Sequence, residues 1–402
     1  MYPKAQPQIF SYLKPHEKDI RTFMRELCAI NSVDGQIRSA AERTAAEMEK
    51  LGFHSIRTDR MGCLIGAVGN GPVKILYDAH LDTVGVGDPE EWDWDPFTGR
   101  LKNGKLYARG ACDTKGCIPG MVYGLAAAAE AGVLDSFTLY YYGSLEEQCD
   151  GLAPRVLVEE EGLRPDFVVI GEPTDMAVFR AQRGRVEMAV HFSGKSAHAS
   201  MPGVGVNPTY KMAPFLLAME QLNQQLVSRG DGLARGSVAV TDLSCQTASI
   251  NAVPSGCTAY LDRRLGIGEK PGDAIAEIRA CIPGTLRNTI AAELMIYKEP
   301  SYTGYVRETE KVFPAWELPL EDPYVQAGLR AAEAALQKPV TTGGWPASTN
   351  GAYWRGTAGI PSIGFGPGEL LHAHSLQEQV RMEDVVTAAR FYALLPLFVP
   401  ID

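Results

Sequence analysis

KILYDAHLD (residues 74–82) is the stretch on which the reading of this chain turns. A short apolar run stops abruptly at His80 and Asp82, as in a buried strand that delivers polar groups at its carboxyl end. FTLYYYGSLEE (137–147) repeats the pattern, with a strand over 137–143 ending before Glu146 and Glu147. DFVVIGEPTD (166–175) repeats it again, with a strand over 166–170 ending before Glu172. Between these runs, residues 38–51 carry Ala41, Ala45, Met48 and Leu51 near a helical period. GMVYGLAAAAEAG (120–132) reads as an Ala-rich helix stopped by Gly132. Helices alternating with continuous apolar strands describe an α/β sheet covered on both faces, whose ligands bind beyond the strands' carboxyl ends.

The texture changes near Arg183. RVEMAVHF (185–192) alternates strictly and predicts a half-exposed strand. A helix over 208–228, strands over 237–243 and 257–265, a helix over 271–281 opened by Pro271, and a strand over 292–298 follow. The order βαββαβ is ferredoxin-like. After about residue 300 the first texture returns. Asp322 caps a helix that starts at Pro323 and runs through Gln337. GIPSIGFGPG (359–368) is a buried strand, and 383–398 a last amphipathic helix. The expected organisation is one domain from residues 1–183 and 300–402, with a second, 184–299, inserted into it.

Composition removes several function classes. The 402 residues hold 38 basic and 48 acidic side chains, a formal net charge of -10. No dense Lys/Arg stretch exists, so nucleic acid is not an expected partner. Trp92, Asp93, Trp94 and Asp95 form an aromatic-acidic patch instead. No apolar run of about 18 residues predicts a membrane span, and MYPKAQPQIFSYLKPHEKD lacks a signal-peptide core. Eight scattered cysteines with no CxxC pair fit a reducing cytoplasm rather than a disulfide framework or a cysteine zinc site. Cys112 and Cys149 read as small packing residues.

The polar strand ends carry the chemistry. They are His80-x-Asp82, Asp113, Glu146-Glu147 and Glu172, joined by His372-Ala-His374 beyond the C-terminal Gly-rich strand. Imidazole nitrogen and carboxylate oxygen suit borderline and hard metals. A metal-bound histidine hands its other ring N–H to a carboxylate or carbonyl, which fits Asp82 two residues after His80. Adjacent carboxylates repel, so Glu146-Glu147 makes sense where one binds a cation and the other handles protons. His16, His54 and His191 read as ordinary packed or exposed residues. No strand is followed by GxGxxG and no GxSxG elbow occurs, which argues against a nicotinamide dehydrogenase and a serine hydrolase.

An ordered set of motifs then resembles the metallopeptidase family of acetylornithine deacetylase, succinyl-diaminopimelate desuccinylase, aminoacylase-1 and carboxypeptidase G. They are YDAHLDTV (77–84), ARGACDTKG (108–116), SLEEQCDG (144–151), GEPTD (171–175), SGKSAHASMPGVGVNP (193–208), NAVPSGCTAYLDRR (251–264) and HAHSLQE (372–378). QRGRVEM, LDRRLGIGE, ASTNGAYW and IGFGPG are most similar to a peptidase subgroup associated with selenium metabolism. The resemblance implies a zinc-peptidase-like domain with a mixed central sheet flanked by helices, and an inserted ferredoxin-like lid and dimerisation domain. It implies two zinc ions per chain, with cobalt or manganese as substitutes. His80 and Glu172 would hold one metal, Glu147 and His374 the other, and Asp113 would bridge them. His374 is taken over His372 because the family's histidine stands four residues before a Glu, here Glu378. Asp82 would orient His80, and Glu146 would be the general base. The peptide after the bridging Asp, here Asp113-Thr114, is often cis in the family.

His198 would reach a partner subunit's site in a homodimer and stabilise an oxyanion. Asn251 and Arg263 would meet the substrate, although adjacent Arg263 and Arg264 leave open which one points inward. Asn350, Cys117 and Leu145 depart from the family's usual residues. The implied activity is zinc-dependent hydrolysis of an amide bond in a small N-acyl amino acid or short peptide. A carbamoyl or ureido-acid amidohydrolase is the rival enzyme, disfavoured by the Glu-Glu pair. A silent binding protein on the same fold would have lost the base or a ligand, and all are present.

Overall fold

In a computed structural model, which describes residues 5–33, 35–282, 284 and 290–401, KILYD lies on the strand Val73–Asp78. The expected domain's outermost residues, 1–4 and 402, lie outside the described residues. Val73–Asp78 pairs in parallel with Phe137–Gly143 on one side and Phe167–Ile170 on the other. Ser362–Gly364 continues the parallel set beyond Phe167–Ile170. These strands are apolar on both faces because both faces are covered. His54–Thr58 and Leu64–Val68 extend one side antiparallel; Val178–Gln182 and Trp316–Glu317 extend the other, and Thr342–Trp345 pairs in parallel with Val178–Gln182, giving a mixed nine-stranded sheet.

The Ala-rich segment is the helix Ile118–Glu130, buried along most of its length. Its small side chains let neighbouring helices approach closely. At Gly124 an added Cβ would sit 2.7 Å from the carbonyl oxygen of Ala389, in the helix Met382–Leu394. That last helix ends sooner than the pattern 383–398 suggests, turning into the 3-10 segment Leu395–Leu397, since Pro396 lacks the N–H a longer helix needs. The helix Ala5–Ala29 is absent from the sequence reading, because Pro15 interrupts its pattern. It nevertheless buries Ile9, Leu13, Ile20, Phe23, Met24 and Leu27.

The alternating segment forms a second sheet around a separate apolar core. Its strands run in the order Ser237–Gln246, Gly256–Leu265, Gly184–Ser193 and Ile290–Leu294, all antiparallel. With the helices Pro208–Ser228 and Pro271–Ala280 between them, this is the expected βαββαβ order. Val186, Met188, Val190 and Phe192 point to the helices, where Phe215 and Met219 meet them. Among the described residues, no helix is long and apolar enough to cross a membrane.

One buried acid in the turn after His54–Thr58 gives a stability test. Asp59 accepts hydrogen bonds from the N–H groups of Met61 and Cys63 (both 2.9 Å) and from the Tyr142 hydroxyl (3.0 Å). Burial lifts its carboxyl from 3.8 to about 6. An acid whose folded pKa is raised stabilises the fold below its unfolded pKa and loses that contribution as pH rises through the folded value. Melting temperature should therefore carry a downward component between pH 3.8 and about 6. Asp59→Asn should flatten that part of the curve; an unchanged slope rules Asp59 out as its source.

Candidate metal centre and active site

Because Phe137–Gly143, Val73–Asp78 and Phe167–Ile170 are parallel neighbours, their carboxyl ends open on one edge. Glu146 and Glu147, His80, and Glu172 follow those ends. Asp113 arrives from the turn before the helix Ile118–Glu130, and His374 from the loop after Ser362–Gly364. Asp113 stands between two histidines: Oδ1 is 3.0 Å from His80 Nε2, and Oδ2 is 3.1 Å from His374 Nε2. His80 Nε2 also lies 3.3 Å from Glu172 Oε1, and His374 Nε2 lies 3.3 Å from Glu147 Oε2. Ligand atoms of His80, Asp113 and Glu147 lie within 4.8 Å of one another, as do those of His80, Glu146 and Glu172. His372 is turned away, its ring 3.5 Å from the Gln379 amide. The Asp113-Thr114 peptide is cis.

The electrostatics are those of acids crowded together out of water. Burial, and then the charge of Glu172, push the Glu146 carboxyl well up. Burial and Asp113 push Glu147 up, and lift Glu172 to about 7. Burial opposes charge on Asp113 as well, but the hydrogen bonds from His374 and His80 win and hold its carboxyl down. Hydrogen bonds to Asp113 and Glu147 lift His374 to about 10. Glu147 Oε1 is buried with no hydrogen-bond partner. An orphaned buried carboxylate oxygen is costly, and among two imidazoles and several carboxylates it is what a divalent cation would satisfy.

A second set of groups fixes this first one. The carbonyl of Asp82 lies 2.9 Å from His80 Nδ1, closer than its carboxylate at 3.4 Å. The Asp82 carboxylate instead accepts the backbone N–H groups of Glu146 (3.1 Å) and Glu147 (3.1 Å). Asp82 thus orients both strand ends at once. Glu378 accepts the N–H groups of Cys112 and Asp113, each at 3.0 Å, and pairs with Arg109. The aromatic-acidic patch serves that pair, since the Arg109 guanidinium stacks 5.1 Å over Trp92. Asn350, one of the departures from the family pattern, donates its backbone N–H to Glu146 Oε2 at 2.8 Å. Its side chain accepts from Gly151 N–H and donates to Ser144, which donates to Asp78.

Three expected site residues are not at the cluster. His198 is exposed, its Nδ1 accepting from Ser200 N–H (3.1 Å) and facing the Ser200 hydroxyl (2.8 Å). Asn251 is exposed on the adjoining hairpin, its carbonyl accepting from Ala199 N–H at 2.9 Å. Arg263 has to be corrected. It is fully buried and bonds Glu269 (2.7 Å) and Glu277 (3.2 Å) within the second sheet's own layer. Strand alternation accounts for this, because Arg263 shares the helix-covered face with Ala259, Leu261 and Leu265. Arg264 takes the opposite face and pairs with Asp262 at 2.8 Å. On that face Arg185 reaches across to Asp150 of the large sheet's layer at 3.0 Å. The period of two was readable at LDRRL and identifies Arg264 as the outward member.

Residues 76–397 match the model of peptidase family M20/M25/M40. The chain belongs to this family. It is 37% identical over 390 residues to the uncharacterized protein YgeY of Escherichia coli strain K12, covering 97% of this chain and 96% of that one. It is 21% identical over 395 residues to a probable succinyl-diaminopimelate desuccinylase of Staphylococcus epidermidis, covering 92% and 89%. Its fold matches that of the Bacillus subtilis YXEP protein, described as a dinuclear metal-binding peptidase, with TM-score 0.69, 13% identity, and 96% and 98% of the chains covered. The chain is therefore a metal-dependent hydrolase of amide or peptide bonds, and the His-Asp-Glu cluster is its candidate metal centre.

The enzyme's buried Arg109–Glu378 pair gives a direct test. Glu378→Ala leaves a buried guanidinium unpaired and two backbone N–H groups unmet. Removing one member of a buried pair costs about 3–5 kcal/mol. Urea unfolding of metal-free protein should register a loss of that size.

Proposed function

We propose that this enzyme hydrolyses an amide bond in a small N-acyl amino acid or short peptide at a pair of zinc ions, with Glu146 as general base. The observation that carries this reading is Asp113 shared between His80 and His374, with Glu172 and Glu147 on either side. That donor set suits His80 and Glu172 for one ion, His374 and Glu147 for the other, and Asp113 for both. Zinc in such a set supplies Lewis acidity toward a carbonyl oxygen and lowers the pKa of water toward about 7.

The remaining steps belong to the chain's own side chains. Glu146 Oε2 is held by Asn350 N–H, which leaves Oε1 to take a proton from the attacking water. The same oxygen then hands that proton to the leaving amine. Asp82 holds the Glu146 and Glu147 backbone against recoil. We assign residues 184–299 the role of lid and dimerisation domain, and 1–183 with 300–402 that of catalytic domain. Ser237–Gln246 is an outer strand of its sheet; its own Leu243 and the neighbouring Leu217 are exposed apolar side chains. An unpaired edge flanked by apolar surface suits a second copy of the chain. In that assembly the exposed His198 is free to serve the partner's site as oxyanion donor, with Asn251 and Arg264 toward the substrate.

Glu146→Gln should keep its metal, measured by elemental analysis, yet lose about 10²–10⁴-fold in kcat on the best substrate of an N-acyl amino acid and dipeptide panel. Near-normal turnover removes Glu146 as the base. Mixing His198→Ala with Glu146→Ala chains should restore activity in confirmed heterodimers, since one composite site then holds both groups. Heterodimers without activity place His198 in its own chain's chemistry.

A further inference from the structure

Two cysteines in the second sheet lie outside everything assigned above. In the antiparallel pair Ser237–Gln246 and Gly256–Leu265, Cys245 stands directly opposite Cys257. Their Sγ atoms are 3.2 Å apart. Opposed antiparallel residues have Cα atoms about 4.5–5.5 Å apart, inside the roughly 4.4–6.8 Å that a disulfide spans. The sulfurs need to close by only about 1 Å to reach bonding distance. Cys245 is exposed, whereas Cys257 is buried with its Sγ 3.5 Å from Met212 Sδ. No other cysteine pair among the described residues is in sulfur–sulfur contact.

We infer that Cys245 and Cys257 form a reversible disulfide, made and broken by exchange with a low-molecular-weight disulfide and its thiol. The Cys245 thiolate attacks one sulfur of the oxidant, forming a mixed disulfide and expelling one thiolate. Cys257, whose thiol is pushed up to about 11 by burial and by Cys245, keeps its proton until this point. It then attacks Cys245 Sγ, passes its proton to the second departing thiolate, and closes the crosslink. Two protein thiols lose two electrons and two protons in total, and one small disulfide becomes two thiols. A pair with one exposed member, in a chain whose other thiols stay unpaired, belongs to the labile class rather than the structural one.

The position gives the crosslink a consequence. Residues 246–256 form the hairpin that Cys245 and Cys257 close at its base. The hairpin carries Asn251, bridges His198 through Ala252, and accepts Ala199 N–H on the Asn251 carbonyl. Val253 N–H returns to the Ala197 carbonyl at 2.8 Å. Oxidation therefore clamps the exposed loops that hold His198 and Asn251, at a distance from the metal cluster. The groove beside Leu217 and Leu243 does not include either cysteine.

The test uses the intact protein in buffers of oxidised and reduced glutathione, trapped with acid and alkylated. Intact mass and peptide mapping should find a loss of two hydrogens and of both labels at Cys245 and Cys257, reversed by dithiothreitol. Cys257→Ser should stop at a glutathione adduct on Cys245, and Cys245→Ser should leave Cys257 labelled. Wild-type protein that also stops at the adduct, keeps both labels, or links Cys245 between chains overturns the inference. The readout is mass, so it stands or falls independently of the amidohydrolase reading.

Discussion

Carboxylates crowded at a buried sheet edge repel one another, and the arrangement around them follows from that repulsion. At an effective dielectric constant of about 20, two unit charges 4 Å apart interact by about 4 kcal/mol. Asp113, Glu146, Glu147 and Glu172 are all largely withdrawn from solvent, so water does little to screen them. Left to themselves, Glu146, Glu147 and Glu172 answer by holding protons more tightly. Asp113 escapes only because a histidine stands against each of its oxygens. A divalent cation reverses this logic by making the ionised form the favoured one. The same crowding that costs free energy among the acids alone is what would favour a divalent cation among them.

Such a cluster cannot position itself, and the positioning falls to backbone hydrogen bonds. Asp82 gathers the N–H groups of Glu146 and Glu147, while Glu378 gathers those of Cys112 and Asp113. Each carboxylate spends its charge on peptide dipoles, so it adds rigidity without adding a free acid to the cavity. Lys115 extends the scaffold to the N-terminal helix. Its buried ammonium donates to the carbonyls of Leu27 (3.0 Å) and Ile30 (2.7 Å), at the end of Ala5–Ala29. Cation donation to the last carbonyls of a helix is favourable, and here it anchors the turn that carries Asp113.

What the sequence made legible follows the range of the interactions involved. His80, Asp82, Glu146, Glu147 and Glu172 each follow an apolar strand within a few residues, so local pattern was enough to find them. Asp113 was read as a strand end but stands in the turn before Ile118–Glu130, and only the ordered motifs separate His374 from His372. Asn350 meets Glu146 across 204 positions, and Glu378 meets Arg109 across 269, and no periodicity links such pairs. Asn350 drew notice only as a departure from a pattern; the contact with Glu146 supplies its meaning. Arg263 is a different failure, because the alternation Leu261, Arg263, Leu265 was on the page and points its side chain away from the site.

The candidate site residues are divided between two kinds of support. The metal-facing residues sit on parallel strand ends and buried turns, held by a network with few alternatives. His198 and Asn251 sit on exposed loops whose hydrogen bonds are mostly to one another. Reaction geometry demands placement to a fraction of an ångström, and rigid strand ends provide it. Selecting a substrate demands contacts that form only when it is present, and loops supported from a separate apolar core can provide those. A chain built this way holds its candidate metal ligands in the large sheet, while His198 and Asn251 stand on loops that can change without disturbing them.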